Sequence, residues 1–167
     1  QILNLTPFET YFVEQRQFFT EGTELFNKAG LFYSRRVGAT PVGYYDVLYG
    51  TDPSAEIISN PSQARLLNAA KLSGRTTGGL GIGVFNAIEG ETVAVVKDSA
   101  GVESTIITGP RSNYNVLVFD QSLKNNSFIT FTNTNVLREN AFNDANVTAV
   151  NFSFNDKPNV WAIEGGG

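Results

Sequence analysis

The sequence predicts an all-β fold built as an antiparallel up-and-down meander. Three observations lead to this fold class. From Ala64 onward, apolar residues alternate with small or polar ones in run after run. The runs reach about 9–11 residues, the length that a tilted strand needs to cross a bilayer. Turn-forming residues separate the runs at intervals that suit a meander. The same pattern fits a partial transmembrane β-barrel or a sandwich of two sheets.

The start of the chain is open to two interpretations. In LTPFETYFVEQRQFF, Thr6 is a suitable N-cap, Pro7 suits the first helical position and Glu9 completes a capping box. These residues predict a short helix from Pro7 to Gln15. The aromatic run TYFVEQRQFF equally favours a strand, because aromatic and β-branched residues suit a pleated surface.

Each later run has one apolar face and one small or polar face. In ARLLNAAKLSGR, the cations Arg65, Lys71 and Arg75 oppose Leu66, Ala70 and Leu72. In GGLGIGVFNAIE, the glycines oppose the aliphatic residues. The apolar positions in successive runs are Leu66, Ala70, Leu72, Leu80, Ile82, Val84, Ile88, Val116, Val118, Ile129, Phe131, Val150, Phe152, Phe154, Trp161 and Ile163. So many glycines in one strand indicate that neighbouring segments must support it.

The connections also follow a pattern. Short turns are predicted at 76–78, 123–126 and 155–159, and longer loops at 90–111 and 137–144. In a meander, alternate connections lie at the same edge of the sheet. The short turns therefore fall at one edge and the long loops at the other, as in outer-membrane barrels.

Composition excludes several classes of function. The 167 residues contain no Cys, His or Met, which removes thiol nucleophiles, Ser-His triads and the common zinc or haem ligand sets. The net charge is −4 and no basic run occurs, so nucleic acid is not an expected partner. No apolar run approaches the roughly 20 residues that a membrane helix requires.

Several segments resemble an uncharacterised family of the Bacteroidota. They are EQRQFFTEGTELF, LFYSRRVG, NAAKLSGRTTGGLGIGVFNAI, SNYNVLVFDQSL and FTNTNVLRENAFNDANVTAVNFSF, which include the motifs R-x-F-F-x-E-G, F-Y-S-R-R-x-G and K-x-S-G-R. Members of that family look like outer-membrane β-barrels and are often preceded by a family-9-type carbohydrate-binding module. The resemblance implies a location in the cell outer membrane.

On this basis we divide the chain into two parts. Residues 1–63 form an N-terminal lead with the first strands, and residues 64–167 form antiparallel barrel strands that continue beyond this chain. Gln1 at the start and EGGG at the end look like cuts in a longer polypeptide. We expect the remaining strands to come from the rest of that polypeptide or from another barrel chain.

Most of the candidate functional residues lie in or just before the stretch FFTEGTELFNKAGLFYSRRVG, Phe18 to Gly38. Glu14 and Glu21 are candidates for the paired carboxylates of a glycan hydrolase. The alternative is that these two acids are structural and neutralise Arg16, Arg35 and Arg36. Lys71 and Arg75 are further candidates for ion pairs within a barrel lumen. If Arg35 and Arg36 lay in a strand, they would point to opposite faces, which places the segment near a rim or outside the membrane.

Other motifs predict no further chemistry. GGLGIG has the wrong spacing for a dinucleotide fingerprint, and no aspartate spacing matches a calcium loop. We therefore expect neither a cofactor nor a metal. The predicted function is a channel or scaffold role in an outer-membrane barrel, with lipid and glycans as partners. A glycan hydrolase and a soluble sandwich that binds ligands are the alternatives.

Overall fold

The computed structural model describes residues 12–140 and 142–167. Short helices precede the long strands: α1 (Gln17–Thr20), α2 (Glu24–Asn27), a 3-10 helix (Ser34–Arg36) and α3 (Tyr44–Gly50). The predicted helix from Pro7 to Gln15 lies mostly outside the described residues, and its last four positions are not helical. The alternative strand is wrong at its second half, because α1 turns Phe19 into the core against Phe85.

Nine strands follow within the described residues. They are β1 (Glu56–Ser59), β2 (Leu66–Arg75), β3 (Leu80–Glu89), β4 (Thr92–Lys97), β5 (Glu103–Gly109), β6 (Ser112–Ser122), β7 (Phe128–Arg138), β8 (Ala145–Asn155) and β9 (Ala162–Gly166). Every strand pair is antiparallel. The predicted all-β class is confirmed.

The strands form two sheets. The larger sheet has the order β2-β3-β6-β7-β8-β9, and the smaller one has the order β1-β4-β5. The larger sheet is an up-and-down meander with one interruption: the chain between β3 and β6 forms β4 and β5, which belong to the smaller sheet. Strands β6, β7 and β8 have 11 residues each, which matches the predicted strand length.

The predicted loop at 90–111 is wrong. Most of it is the β4–β5 hairpin, whose TVAVVK and ESTIITG sequences are rich in β-branched residues and flank a turn at Gly101. Of the first strands expected within residues 1–63, the described residues contain β1 alone, and it pairs with this hairpin rather than with the larger sheet.

The connections of the larger sheet divide between its two edges as the meander requires. One edge carries 76–79, 123–127 and 156–161, and we call it the short-turn edge. The opposite edge carries the hairpin and residues 139–144, and we call it the hairpin edge. The connections at the hairpin edge were expected to be longer than those at the short-turn edge. Only the hairpin connection is longer, since 139–144 has the same length as 156–161.

The register fixes two faces of the larger sheet. Lys71 pairs with Phe85 and Thr130 pairs with Asn151, and these residues lie on what we call the inner face. The inner face also holds Ser73, Arg75, Gly81, Gly83, Ala87, Glu89, Tyr114, Val116, Val118, Asp120, Thr132 and Ser153. The outer face holds Leu72, Leu80, Ile82, Val84, Leu117, Phe119, Ile129, Phe131, Val150, Phe152, Phe154 and Ile163.

Three strands test the face assignments made from sequence. The outer positions of β3 and β8 agree with the prediction. The sequence pattern grouped Val116 and Val118 with the apolar face that contains Leu72, and this is wrong. Both are buried on the inner face against Phe85, while Leu117 and Phe119 point outward. The run VLVF is apolar at every position, so a period of two cannot distinguish its faces.

The two sheets have separate hydrophobic cores. One core lies between the inner face and residues 19–37 and includes Phe26 and Phe85. The other lies between α3 and the smaller sheet and includes Val47, Ala94 and Val96. A sandwich buries the facing sides of its two sheets in one shared core, and the described residues do not have this arrangement. Among them, no helix is both long and apolar enough to span a membrane.

Candidate functional site: the covered inner face

Residues 14–38, which we call the cover segment, pack across the inner face of the larger sheet. Phe19, Leu25, Phe26 and Val37 are buried there against strands β3 and β6. Phe26 is fully buried, and its neighbour Phe32 lies with its ring centroid 4.9 Å from that of Phe85. Burying an aromatic side chain of this kind contributes about 2–3 kcal/mol. The cover segment is therefore held in place by a true apolar core.

Glycines in β3 make room for these side chains. A Cβ at Gly83 would lie 3.1 Å from the Phe26 ring, and one at Gly81 would lie 2.9 Å from a Leu25 methyl group. Both distances are too close for an ordinary contact between carbon atoms. The glycine-rich strand is thus supported by a neighbouring segment, as the sequence indicated, and that segment is the cover segment.

A buried carboxylate on β6 binds the cover segment to the sheet. Asp120 is fully buried. Its Oδ2 accepts hydrogen bonds from Lys28 Nζ at 2.8 Å and from Arg75 Nη2 at 2.5 Å, while its Oδ1 accepts one from Thr130 at 2.6 Å. Arg75 was a predicted ion-pair residue, and it has that role here. Lys28 adds a second cation from α2's C-terminal end, so this one carboxylate joins the sheet to the segment above it.

Lys71 makes a second connection between the sheet and the cover segment. Its ammonium group donates to the carbonyl oxygen of Phe18 at 2.5 Å and to that of Glu21, and it lies 5.0 Å from the Phe18 ring centroid. The adjacent inward residue Ser73 donates to the carbonyl oxygen of Gly22 at 3.3 Å. The motif K-x-S-G-R therefore places three inward side chains, Lys71, Ser73 and Arg75, that hold the cover segment or its anchor.

Glu14 and Arg16 form a third node within the cover segment. Arg16 donates twice to Glu14, with Nε to Oε1 at 2.9 Å and Nη2 to Oε2 at 2.8 Å. Arg16 also donates to the carbonyl oxygens of Ser34 and Val37, at 3.0 and 2.7 Å. The guanidinium lies 4.1 Å from the Phe19 ring centroid. One arginine thus joins the R-x-F-F and F-Y-S-R-R motifs.

The surroundings of Glu14 keep it ionised. The hydrogen bonds from Arg16 hold the pKa of Glu14 well below its ordinary value, and the hydroxyl of Ser34 adds to this effect at 2.7 Å. A carboxyl group with so low a pKa is a poor proton donor around neutral pH. Glu21, the other candidate acid, accepts a hydrogen bond from Gln17 at 2.7 Å and lies exposed directly after α1. Glu14, not Glu21, is the acid that neutralises Arg16.

The two adjacent arginines belong to the 3-10 helix, so the expectation that they lie in a strand does not apply. Arg35 Nε lies 3.9 Å from Glu14 Oε1 and donates to the carbonyl oxygen of Val13 at 3.1 Å. Arg36 lies 5.9 Å from the Tyr33 ring centroid. Arg35 is thus part of the Glu14 node. The prediction that this segment lies near a rim or outside the membrane was argued from strand geometry, and it stays a prediction.

Beyond the Phe32 side of the cover segment, a cavity of about 390 Å³ lies over β6, β7 and β8. Its wall is largely apolar, with Val116, Val136 and Val147 below the segment, and Arg36, Tyr114 and Arg138 at one end. Beside this end, the buried Glu89 accepts hydrogen bonds from the backbone of Gly38 at 2.5 Å and from Tyr114 at 3.2 Å. The inner face is therefore open at this cavity, which lies toward the hairpin edge of β6, β7 and β8.

Sequence reasoning missed Lys28, Asp120 and Glu89. The sequence could have indicated Asp120. It is the next residue after Val116 and Val118 in the alternation, so an acid stands on the apolar inward face of this strand. Glu89 likewise falls on the glycine face of β3. The described residues contain no group of three or more acidic side chains arranged to hold a metal ion.

The geometry defines a class of domain: an antiparallel meander whose inner face is partly covered by an N-terminal segment and whose outer face is apolar toward the short-turn edge. A family model described as "Domain of unknown function (DUF5916)" matches residues 1–167. The chain therefore belongs to the DUF5916 family. Searches of curated proteins and of solved structures found no match.

Proposed function

We propose that the larger sheet is part of the wall of a β-barrel in the cell outer membrane, with a channel or scaffold role. In this arrangement the outer face contacts lipid, and the inner face and its cover segment lie within the lumen. Transmembrane barrels alternate lipid-facing and lumen-facing residues along each strand.

The distribution of exposed apolar residues carries this proposal. Eight large apolar side chains of the outer face are 37–71% exposed, namely Leu72, Val84, Phe119, Ile129, Phe131, Val150, Phe154 and Ile163. They lie on all six strands of the larger sheet and form one continuous surface. The cations Lys28, Lys71 and Arg75 all lie at the opposite face. Contiguous apolar surfaces of this kind mark membrane or protein contacts, and strands of 10–11 residues suit a membrane crossing.

The first and last strands of the larger sheet, β2 and β9, indicate the partners of the proposed wall. Within the described residues, β2 pairs with β3 alone and β9 pairs with β8 alone. In hydrocarbon, each unpaired backbone group costs several kcal/mol. The wall is therefore completed by strands of the rest of the same polypeptide or of another barrel chain, and its remaining partner is outer-membrane lipid.

The cover segment bears on the choice between channel and scaffold. It is anchored at Asp120 and at Lys71 and blocks the part of the inner face formed by β2, β3 and β6. A pore along this wall requires either displacement of the segment or passage over β7 and β8, where the cavity lies. A part in glycan handling stays a prediction from the family resemblance.

Thiol labelling of single-cysteine variants tests the proposal, since the chain has no native Cys. Ile82→Cys and Phe152→Cys point outward, whereas Thr132→Cys on β7 points inward. In the intact protein reconstituted in vesicles, a maleimide confined to the lipid phase should label the first two variants and not the third. Labelling of Ile82→Cys and Phe152→Cys by a membrane-impermeant aqueous maleimide alone would refute the lipid contact.

A further inference from the structure

The outer face is not apolar along its whole height. Toward the hairpin edge, side-chain amides form a hydrogen-bonded chain across β3, β6, β7 and β8, which we call the amide ladder. Its members are Asn86, Asn113, Asn115, Asn133, Asn135, Asn146 and Thr148. The distances between donor and acceptor run from 2.7 Å for Asn86 to Asn113 to 3.3 Å for Asn135 to Asn133. The amides thus satisfy one another on an otherwise apolar surface.

The line between apolar and amide surface runs obliquely across the strands. On β2, Ala70 and Leu72 are apolar and the first polar outward residue is Asn68. On β8, the first polar outward residue is Thr148. The row of residues paired across the sheet with Thr148 contains Asn133, Leu117 and Val84. On β2 this row ends at Leu72, not at Asn68. The line has therefore moved by four residues along the strand, from position 68 to position 72.

This displacement gives an angle. Four residues of extended chain measure about 13 Å, and the four strand spacings from β2 to β8 measure about 19 Å. The line is thus inclined by about 35° to the row of paired residues. The intermediate strands agree, since the first polar residues of β3 and β6 are Asn86 and Asn115, which share the row of Ala70. Strands of membrane barrels tilt by about 35–45° from the barrel axis.

We propose that this oblique line is the boundary between lipid hydrocarbon and polar headgroups on the hairpin side of the membrane. The strands then cross the bilayer at about 35°, and the amide ladder contacts lipid headgroups. An amide pointing into hydrocarbon is costly unless it is hydrogen-bonded, and the ladder meets this condition where the strands leave the apolar layer. This inference rests on the proposed function, because it needs the outer face to contact lipid.

Spin labels at two positions in the same row test the tilt. The row of paired residues joins Ala70 on β2 with Asn146 on β8 through Asn86, Asn115 and Asn135. With strands inclined at about 35°, a label at Ala70→Cys lies about 11 Å nearer the bilayer centre than one at Asn146→Cys, from four strand spacings of about 4.8 Å. In phosphatidylcholine vesicles, oxygen should relax the label at position 70 more strongly, and an aqueous nickel chelate the label at 146.

A second pair is the matched control. Val84 on β3 pairs with Leu117, and Phe131 on β7 pairs with Phe119. Leu117 and Phe119 are successive outward residues of β6, so Val84 and Phe131 lie in adjacent rows and two strands apart. The proposed tilt places labels at Val84→Cys and Phe131→Cys at the same depth. Equal depth for the first pair and unequal depth for the control would overturn the tilt while leaving the lipid contact intact. Exclusion of all four labels from lipid would overturn the proposed function itself.

Discussion

Replacing Asp120 with Asn tests how the cover segment is held. The substitution keeps the size of the side chain but removes the charge that two cations share at 2.8 and 2.5 Å. Breaking a buried ion pair by removing one partner costs about 3–5 kcal/mol. Lys28 and Arg75 keep 30% and 35% of their side-chain exposure, so solvent offsets part of the loss. We therefore expect a fall of about 3 kcal/mol in the free energy of unfolding.

Urea unfolding of the intact protein in lipid vesicles, followed by far-UV circular dichroism, measures this change. Lys28→Met is the matched comparison, because it removes one cation and leaves Asp120 paired with Arg75. Its cost should be about 1 kcal/mol. In addition, Asp120→Asn should expose the cover segment to proteolysis after Lys28. A loss of under about 0.5 kcal/mol for Asp120→Asn, within the range of ordinary surface substitutions, would refute the anchoring role.

Four further outcomes are expected. Glu14→Gln should destabilise the protein by about 1–3 kcal/mol at neutral pH, whereas Glu21→Gln should have little effect. Since the folded-state pKa of Glu14 is lowered from 4.5, its contribution is present above that pH and is lost as pH falls further, so the stabilities of wild type and Glu14→Gln should converge in acid. Phe26→Ala should cost about 3–5 kcal/mol in urea unfolding. Gly83→Ala should cost about 1–3 kcal/mol by pressing on the Phe26 ring, and in the double variant the costs should not add. Trp161 is 77% exposed beside the short-turn edge, so shallow lipid-bound quenchers should reduce its fluorescence more than deep ones; the reverse order would contradict an interfacial position.

The sheet could be predicted from the sequence because its strands have a clear period of two. In the parts of β3 and β8 nearest the short-turn edge, Leu80–Val84 and Val150–Phe154, apolar residues alternate with glycine or polar residues, so both the strands and their faces follow from the sequence. In β6, the continuous apolar run at Val116–Phe119 removes that contrast, and the faces could not be assigned correctly. The hairpin of β4 and β5 was missed because its strands are short and pair outside the larger sheet.

The site depended on contacts between residues distant in sequence. Arg75 and Lys71 could be named as inward cations from the pattern of a single strand. Their partners lie 45 to 53 residues away, at Asp120 and Phe18, and no local pattern encodes such pairings. The pairing of Arg16 with Glu14 rather than with Glu21 has a similar cause, since the extended residues 14–16 bring the nearer acid onto the guanidinium.

A nitroxide scan along β8, from Ala145 to Asn155, tests the central claim most directly, because neighbouring residues there point to opposite faces. In vesicles, oxygen accessibility should alternate with a period of two, with maxima at Val150, Phe152 and Phe154. The intervening positions 149, 151 and 153 should show low oxygen accessibility. A scan with no period of two, or with maxima at the intervening positions, would contradict a lipid-facing outer surface.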